Sequence, residues 1–307
     1  MAIQYTKLFK LLEERDILRT ELQKGIGISS ATMAKLTKNE PVSLKVIEDI
    51  CKFLHCQPGD IMAMEQRSER PLLKLLREEK EMKLKGGLYH QTQIKLAYNS
   101  NRIEGSILSE EQTRYIYETN TIAMPKEEAT PVDDIIETIN HFQCFDYMID
   151  VADQGLTEDM IKAFHRLIKS NTSDSRKEWF KVGDYKAKPN MVGDNRTVSP
   201  SKVKGEMAKL LADYASLETV QFEDIIAFHH QFESIHPFQD GNGRVGRIIL
   251  FKECLRWGIV PFVIDERHKL FYYRGLKQFE TAKGYLMDTC YSAQDEYKKL
   301  VDYFMEE

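Results

Sequence analysis

Residues 236–247 read His236-Pro237-Phe238-Gln239-Asp240-Gly241-Asn242-Gly243-Arg244-Val245-Gly246-Arg247. Small residues running into an apolar stretch leave free backbone N–H groups at the start of a helix, and such a terminus attracts anions. Arg244 and Arg247, three positions apart, share a helix face, so both forks can reach one polyphosphate. Asp240 beside them suits Mg²⁺, which is held through one or two carboxylates plus substrate phosphates. His236 opens the loop and, with an ordinary pKa near ~6.5, can take a proton from an attacking hydroxyl. One short loop carries the parts for phosphate-transfer chemistry on a nucleotide.

Outward from the loop the apolar period is helical. A helix over 222–235 leads in, and another over 244–257 leads out, closed by Gly258. Upstream, helices are expected over about 88–107 and 133–152, with a polar loop around 123–131 between them. Gly155-Leu156-Thr157 opens a further helix carrying His165, whose neighbours Phe164, Leu167 and Ile168 make it a core histidine. Between Trp179 and Ser199 the period fails. Gly183, Pro189, Gly193 and Pro200 break that stretch into short extended pieces, the composition of a hairpin.

The first 64 residues are short helices with punctuation. Leu8, Leu11 and Leu12 mark one, and Leu18 and Leu22 a second. Gly27-Ile28-Ser29 turns the chain, and Ser29 can cap a third helix over 30–36 with Met33 and Leu36 inward. Val46, Ile47, Ile50, Phe53 and Leu54 face a fourth, expected to stop near Pro58-Gly59. Helix, glycine turn, helix is the helix-turn-helix outline. Residues 65–86 are charge-dense with Leu72, Leu73, Leu75, Leu76 and Leu84, a helical connector ended by Gly86-Gly87.

At 307 residues the chain suits two domains. It is 42% hydrophobic and 30% charged, an ordinary soluble composition. A net charge of −5 gives no general pull toward nucleic acid or anionic membrane. No apolar run approaches the ~18 residues of a membrane span, and the first residues lack a signal peptide's pattern. Five cysteines, Cys51, Cys56, Cys144, Cys254 and Cys290, form no C-x-x-C pair. A reduced, cytoplasmic protein is expected.

The 236–247 string resembles the Fic family signature, His-Pro-Phe-x-(Asp/Glu)-Gly-Asn-Gly-Arg-x-x-Arg, at every fixed position. The resemblance implies a mainly α chain whose second part is an all-helical Fic domain with a small β-hairpin flap. It also implies a protein adenylyltransferase, moving AMP from Mg·ATP to a Ser, Thr or Tyr hydroxyl of a protein target, itself included. His236 would then be the catalytic base and Asp240 the Mg²⁺ ligand. Gly241, Asn242 and Gly243 would form the anion hole, with Arg244, Val245, Gly246 and Arg247 completing the nucleotide site. Tyr272 and Tyr273 would lie against adenine. The flap would comprise Lys186 and the strand Asn190-Met191-Val192-Gly193, clamping a target segment by strand addition. Phe279-Glu280 stand where the family commonly has an Asn. Ser100-Asn101-Arg102-Ile103-Glu104-Gly105 resembles the family's inhibitory motif, which implies that Glu104 pairs with Arg247 and blocks the γ-phosphate.

The first block resembles the Cro/C1-type helix-turn-helix family through Gly27-Ile28-Ser29, Thr32-Met33, Lys35-Leu36, Lys38, Val42-Ser43-Leu44, Ile50-Cys51, Leu54, Cys56 and Gly59-Asp60-Ile61. That implies DNA contacts from Ser30, Thr32, Lys35 and Lys38. Residues 1–66 hold nine Lys/Arg and nine Asp/Glu, so the block has no net positive charge. Protein contact or dimerisation is the alternative use. The organisation read from sequence is therefore 1–66 helix-turn-helix, 67–86 connector and 87–307 Fic domain, with the inhibitory helix at 88–107 and the core at about 155–292. A nucleotide-sensing transcription regulator, another donor such as UMP or phosphocholine, and removal of AMP all stay open, as do the target, the DNA site and any homo-oligomer.

Overall fold

The computed structural model describes residues 2–65, 70–123, 129–193 and 195–305. The chain is mainly α and divides into two compact units, Met1–Arg70 and Pro71–Glu307.

In the first unit, strand β1 (Ala2–Gln4) pairs antiparallel with β2 (Ala63–Glu65), Ile3 opposite Met64. Between them run helices α1 (Thr6–Glu14), α2 (Arg19–Ile26), α3 (Ser30–Thr37), α4 (Leu44–Leu54) and the single turn α5 (Pro58–Ile61). Leu8, Leu12, Leu22, Leu36, Ile50, Leu54 and Ile61 fill one core. Ser29 caps α3 by accepting from the Thr32 N–H, and Gly27 ends α2 in the left-handed conformation the turn needs. Three details depart from the sequence reading, one being that Phe53, read on the apolar face of α4, is exposed. Leu18 is the exposed residue preceding α2 rather than part of its buried face. Helix α4 stops at Leu54, because His55 turns left-handed and the Cys56 N–H closes back on the Cys51 carbonyl; Pro58 then starts α5.

The second unit begins with α6 (Pro71–Met82). The leucines read as a connector face, Leu72, Leu73 and Leu76, are buried in this unit's main core. There follow α7 (Leu88–Ile103), α8 (Glu110–Thr119), α9 (Val132–Asp150) and α10 (Glu158–Lys169). Part of the expected 123–131 loop lies outside the described residues. A two-residue-per-strand hairpin, β3 (Met191–Val192) with β4 (Asn195–Arg196), precedes α11 (Pro200–Ala215), α12 (Phe222–Ile235) and α13 (Asn242–Trp257). Helices α14 (Lys269–Gln278) and α15 (Gly284–Met305) complete it. Residues Val245 to Leu255 of α13 are buried without interruption, so this helix is the unit's axis, packed against α7, α9, α10 and α12. Whatever sits at its N-terminus is therefore rigidly held.

Helix α7 ends at Ile103, earlier than the expected 107. Gly105 adopts φ +107°, and the Ser106 N–H returns to the Asn101 carbonyl. Glu104 is thus the terminal cap residue, one turn beyond Ser100.

Candidate active site

The loop between α12 and α13 is fixed by its own side chains. His236 ends α12 at φ +52°, with its N–H on the Phe232 carbonyl. A non-glycine residue in that region is strained and holds its place only where the surroundings dictate it. Buried Asn242 spans the turn, accepting from the Phe238 N–H (2.8 Å) and donating to the Phe238 carbonyl (2.9 Å). Its side chain shapes the loop, leaving backbone N–H groups to face an anion. Replacing Asn242 with Ala strands the Phe238 N–H and leaves its carbonyl the Asn190 amide alone, so denaturant unfolding should show a loss of about 1–3 kcal/mol.

His165 supports the loop from beneath. Its ring stacks on Phe238 at 4.0 Å, its Nδ1 accepts from the Gly183 N–H (2.9 Å), and its Nε2 faces the Asp240 carbonyl (3.2 Å). An accepting Nδ1 makes Nε2 the donor, and burial drives the imidazole down to about 3, so it stays neutral. It is the satisfied core histidine expected.

Two charge clusters flank the helix start. On one side Lys169, buried on α10, donates to Asp240 Oδ2 and Glu137 Oε1, both at 2.7 Å, and to Asp174 Oδ2 at 3.2 Å. Arg244 pairs with Glu137 of α9 and reaches Asp240 Oδ2 at 3.3 Å. Burial would raise the Asp240 carboxyl, yet Arg244 and Lys169 hold it down at about 2. It is ionised at any working pH.

On the other side Arg247 donates from Nε to Ser100 Oγ (3.0 Å), and from Nη2 to the Ser100 carbonyl (2.9 Å) and Glu104 Oε1 (2.6 Å). Burial opposes its charge, but Glu104 and the surrounding acceptors keep it firmly protonated. The Glu104 carboxylate also lies against Gly243 in the first turn of α13: a Cβ there would come within 2.3 Å of Oε1. It thus occupies both an arginine fork and the positive end of a helix, two places that favour an anion. The two arginines, expected on one face, turn to different neighbours: Arg244 to α9, Arg247 to the end of α7.

Burial, aided by Lys186, pushes the His236 imidazole down to about 4, so it is a free base at neutral pH. Lys186 anchors the hairpin next to it. Its Nζ donates to Asn190 Oδ1 (2.8 Å), Thr197 Oγ1 (2.6 Å) and the Ile235 carbonyl, and its N–H bonds the Pro237 carbonyl. With no carboxylate among those acceptors, burial lowers the amine to about 8. Asn190 donates to the Phe238 and Gln239 carbonyls, which ties the hairpin to the loop. Met191 and Val192 stand exposed on a strand paired on one side, and Gly193 turns at φ +57°.

Tyr272 does not present a face to a base. It is 1% exposed and its hydroxyl is bonded to His229 Nε2 at 2.6 Å. Tyr273, 40% exposed with its hydroxyl toward the Ile103 carbonyl, is the aromatic that remains available. Sequence reading missed Lys169 and Glu137, whose signal was a charged residue on the core-facing side of an amphipathic helix.

Residues 155–253 match the Fic/DOC family model, and residues 7–67 match the Cro/C1-type HTH DNA-binding domain model. The chain carries a Fic domain. A curated relative, "Protein adenylyltransferase Fic" of Nematostella vectensis, is 25% identical over 186 residues, 59% of this chain and 42% of its own. "Protein adenylyltransferase fic-1" of Caenorhabditis elegans is 25% identical over 194 residues, 62% of this chain and 37% of its own. The chain thus spans roughly two fifths of the curated relatives it matches. A solved Fic domain containing signaling protein from Bacteroides thetaiotaomicron superposes with a TM-score of 0.58 at 25% identity, covering 77% of this chain and 88% of that one. Fic-1 from C. elegans shares the fold at 18% identity, TM-score 0.57, over 96% and 85% of the two chains. Among the described residues no helix is long and apolar enough to cross a membrane.

Proposed function

We propose that the Fic domain transfers AMP from Mg·ATP to a Ser, Thr or Tyr hydroxyl of a protein, itself included, and that Glu104 restrains it. The observation that carries this reading is a neutral His236 beside an ionised Asp240, with a carboxylate seated on the Arg247 fork. In the step proposed, His236 takes the hydroxyl proton as that oxygen bonds the α-phosphorus. The bond to the β-phosphate oxygen breaks, and pyrophosphate leaves. The first turn of α13 receives the charge that develops on the phosphoryl oxygens. The open edge of β3 lies on the hairpin that Lys186 and Asn190 pin to the loop. A target segment added there sits beside the base.

The donor set fits Mg²⁺. Lys169 and Arg244 both hold Oδ2 of Asp240, neither takes Oδ1, and the side chain is 49% exposed. One ionised carboxylate is what this cation uses when phosphates and water fill its other positions. Bound there, it would neutralise phosphate charge.

Incubating an Glu104→Gln protein with labelled ATP, UTP and CDP-choline, then mapping the label by mass spectrometry, tests the activity. AMP on hydroxyl side chains supports the reading. A different adduct, loss of AMP from a modified target, or nucleotide binding with no transfer overturns it in favour of another donor, a hydrolytic role or a nucleotide-sensing regulator.

For the helix-turn-helix unit we propose DNA binding through α3. Ser30, Lys35 and Lys38 are exposed there, whereas Thr32 is half-buried and bonds Ser29 Oγ at 3.0 Å within the cap. Lys35→Ala and Lys38→Ala should each weaken binding and flatten its salt dependence by about one phosphate contact. Mobility shifts at two salt concentrations read this. No sequence-preferring shift by the intact protein at low salt would instead favour protein contact.

A further inference from the structure

Glu233 lies one turn before His236 on α12, and neither the loop nor the brake accounts for it. Its Oε1 is shut off from solvent and has no hydrogen-bond partner among the described residues. It is packed against α13 at Gly246, where a Cβ would come within 2.5 Å of Oε1; only a glycine next to Arg247 leaves it room. A carboxyl oxygen enclosed without a partner is costly, so its retention beside the loop points to a role. The available partner is Arg247, whose charge already acts on Glu233, and whose Nη1 makes none of the bonds to Ser100 and Glu104.

We propose that Glu233 is a positioning residue for Arg247: it takes over the guanidinium when Glu104 withdraws, keeps the fork aimed at the nucleotide's terminal phosphate, and when ionised works against the brake. This rests on the braked-transferase reading above. Two carboxylates serve one arginine, and both cannot comfortably be charged beside it. The groups facing Glu233 are Arg247 from α13, His229 and His236 from its own helix, Tyr272 and Tyr273 from α14, and Glu104 from the end of α7. The histidines are driven down, to about 3 and about 4, and the tyrosines up, so all four are neutral and, among these described residues, Arg247 is the one cation. Burial pushes Glu233 up to about 8, with Arg247 pulling down and Glu104 pushing up. With the brake seated, Glu233 therefore carries its proton at pH 7. Raising pH through 8 removes that proton, sets a second negative charge near Glu104 and loosens its hold on Arg247.

The test is calorimetric titration of the full chain with Mg·ATP at pH 7.5 and pH 9, as wild type, Glu233→Gln, Glu104→Gln and the double variant. Glutamine copies the protonated carboxyl in shape, so the fold should survive, and a thermal melt checks it. Wild type should bind severalfold more tightly at pH 9, and Glu233→Gln should lose that pH response. In the Glu104→Gln background, Glu233→Gln should weaken Mg·ATP binding about fivefold. Infrared difference spectra at pH 7.5 should show the protonated-carboxyl band of wild type absent from Glu104→Gln. A wild-type pH response unchanged by Glu233→Gln, or equal affinity of Glu104→Gln and the double variant, overturns the proposal. Because affinity is read without turnover, that failure is distinct from an absence of AMP transfer.

Discussion

His236→Ala should abolish AMP transfer in a protein freed of its brake, lowering the rate by about 10²- to 10⁴-fold, the usual contribution of a positioned base. The imidazole closes α12 in a conformation its surroundings impose and is in free-base form, whereas the neutral His165 beneath the loop has both ring nitrogens engaged, with Gly183 and Asp240. The cations around the site are Lys186, occupied by three oxygens, Lys169, held by three carboxylates, and two arginines that do not give up protons. The pH profile gives a second reading. A folded pKa of about 4, below the ordinary ~6.5, keeps the base competent through the mildly acid range. The acid limb of the rate should therefore break near pH 4 rather than near pH 6.5, within the range where the fold persists. Asp240→Ala should also fail, with a different signature: it takes one carboxylate from both Lys169 and Arg244, leaving them Glu137 and, for Lys169, Asp174, as well as removing the proposed metal ligand, so it should lower stability where His236→Ala does not. Transfer by His236→Ala at the rate of its parent would show that proton removal is not what the loop contributes.

How much of this could be read from residues alone depends on distance along the chain. The loop was legible because its parts are contiguous and their order carries the geometry: histidine, carboxylate, small residues, arginines, then an apolar helix. The contact of Ser100 and Glu104 with Arg247 was legible through the resemblance of residues 100–105 to the inhibitory motif, and the structure places both side chains on Arg247. Helix α7 stops four residues sooner than its apolar period suggests, because Gly105 takes a conformation that period cannot encode. The helices of the first unit were visible from their leucines, except at Leu18 and at the end of α4. There a left-handed His55 did the work assigned to Pro58-Gly59.

What stayed hidden were partners brought in by tertiary contact. Arg244 reads from sequence as a phosphate ligand beside Arg247; it also holds the loop's carboxylate, Asp240, and its pairing with Glu137 comes from α9, far upstream in the chain. Lys169 sits on the buried side of an amphipathic helix, where only the carboxylates of two other segments justify its charge. Tyr272 and Tyr273 are adjacent in sequence and opposite in fate, one enclosed against His229 and the other half-open. Asn190, more polar than the strand pattern wants, makes sense once its amide is seen on the loop carbonyls.

Glu104→Gly should raise AMP transfer by roughly 10- to 150-fold over wild type at saturating Mg·ATP. A charge-assisted bond lost from the inactive state is worth about 1.5–3 kcal/mol, at tenfold per ~1.4 kcal/mol. Two effects of the carboxylate disappear together: its bond to Arg247 Nη2, and its place against Gly243 in the first turn of α13, where a nucleotide's phosphates are proposed to sit. Glycine also loosens the end of α7, by about 1 kcal/mol relative to alanine in a helix interior, although Glu104 is already the cap residue. Glu104→Gln separates the two causes. It keeps the shape and one hydrogen bond while removing the charge, so it should be activated, but less than glycine. Ser100→Ala removes only the hydroxyl that steadies Nε of Arg247, and should release the brake weakly or not at all. Arg247→Ala should be inactive with or without Glu104, because it deletes the fork that phosphate and brake share. Breaking a buried pair costs about 3–5 kcal/mol, so its fold must be verified by a melt before the rate is read. Equal rates for wild type and both Glu104 variants would mean that the carboxylate leaves Arg247 whenever nucleotide arrives, and that the contact is a resting position without regulatory consequence.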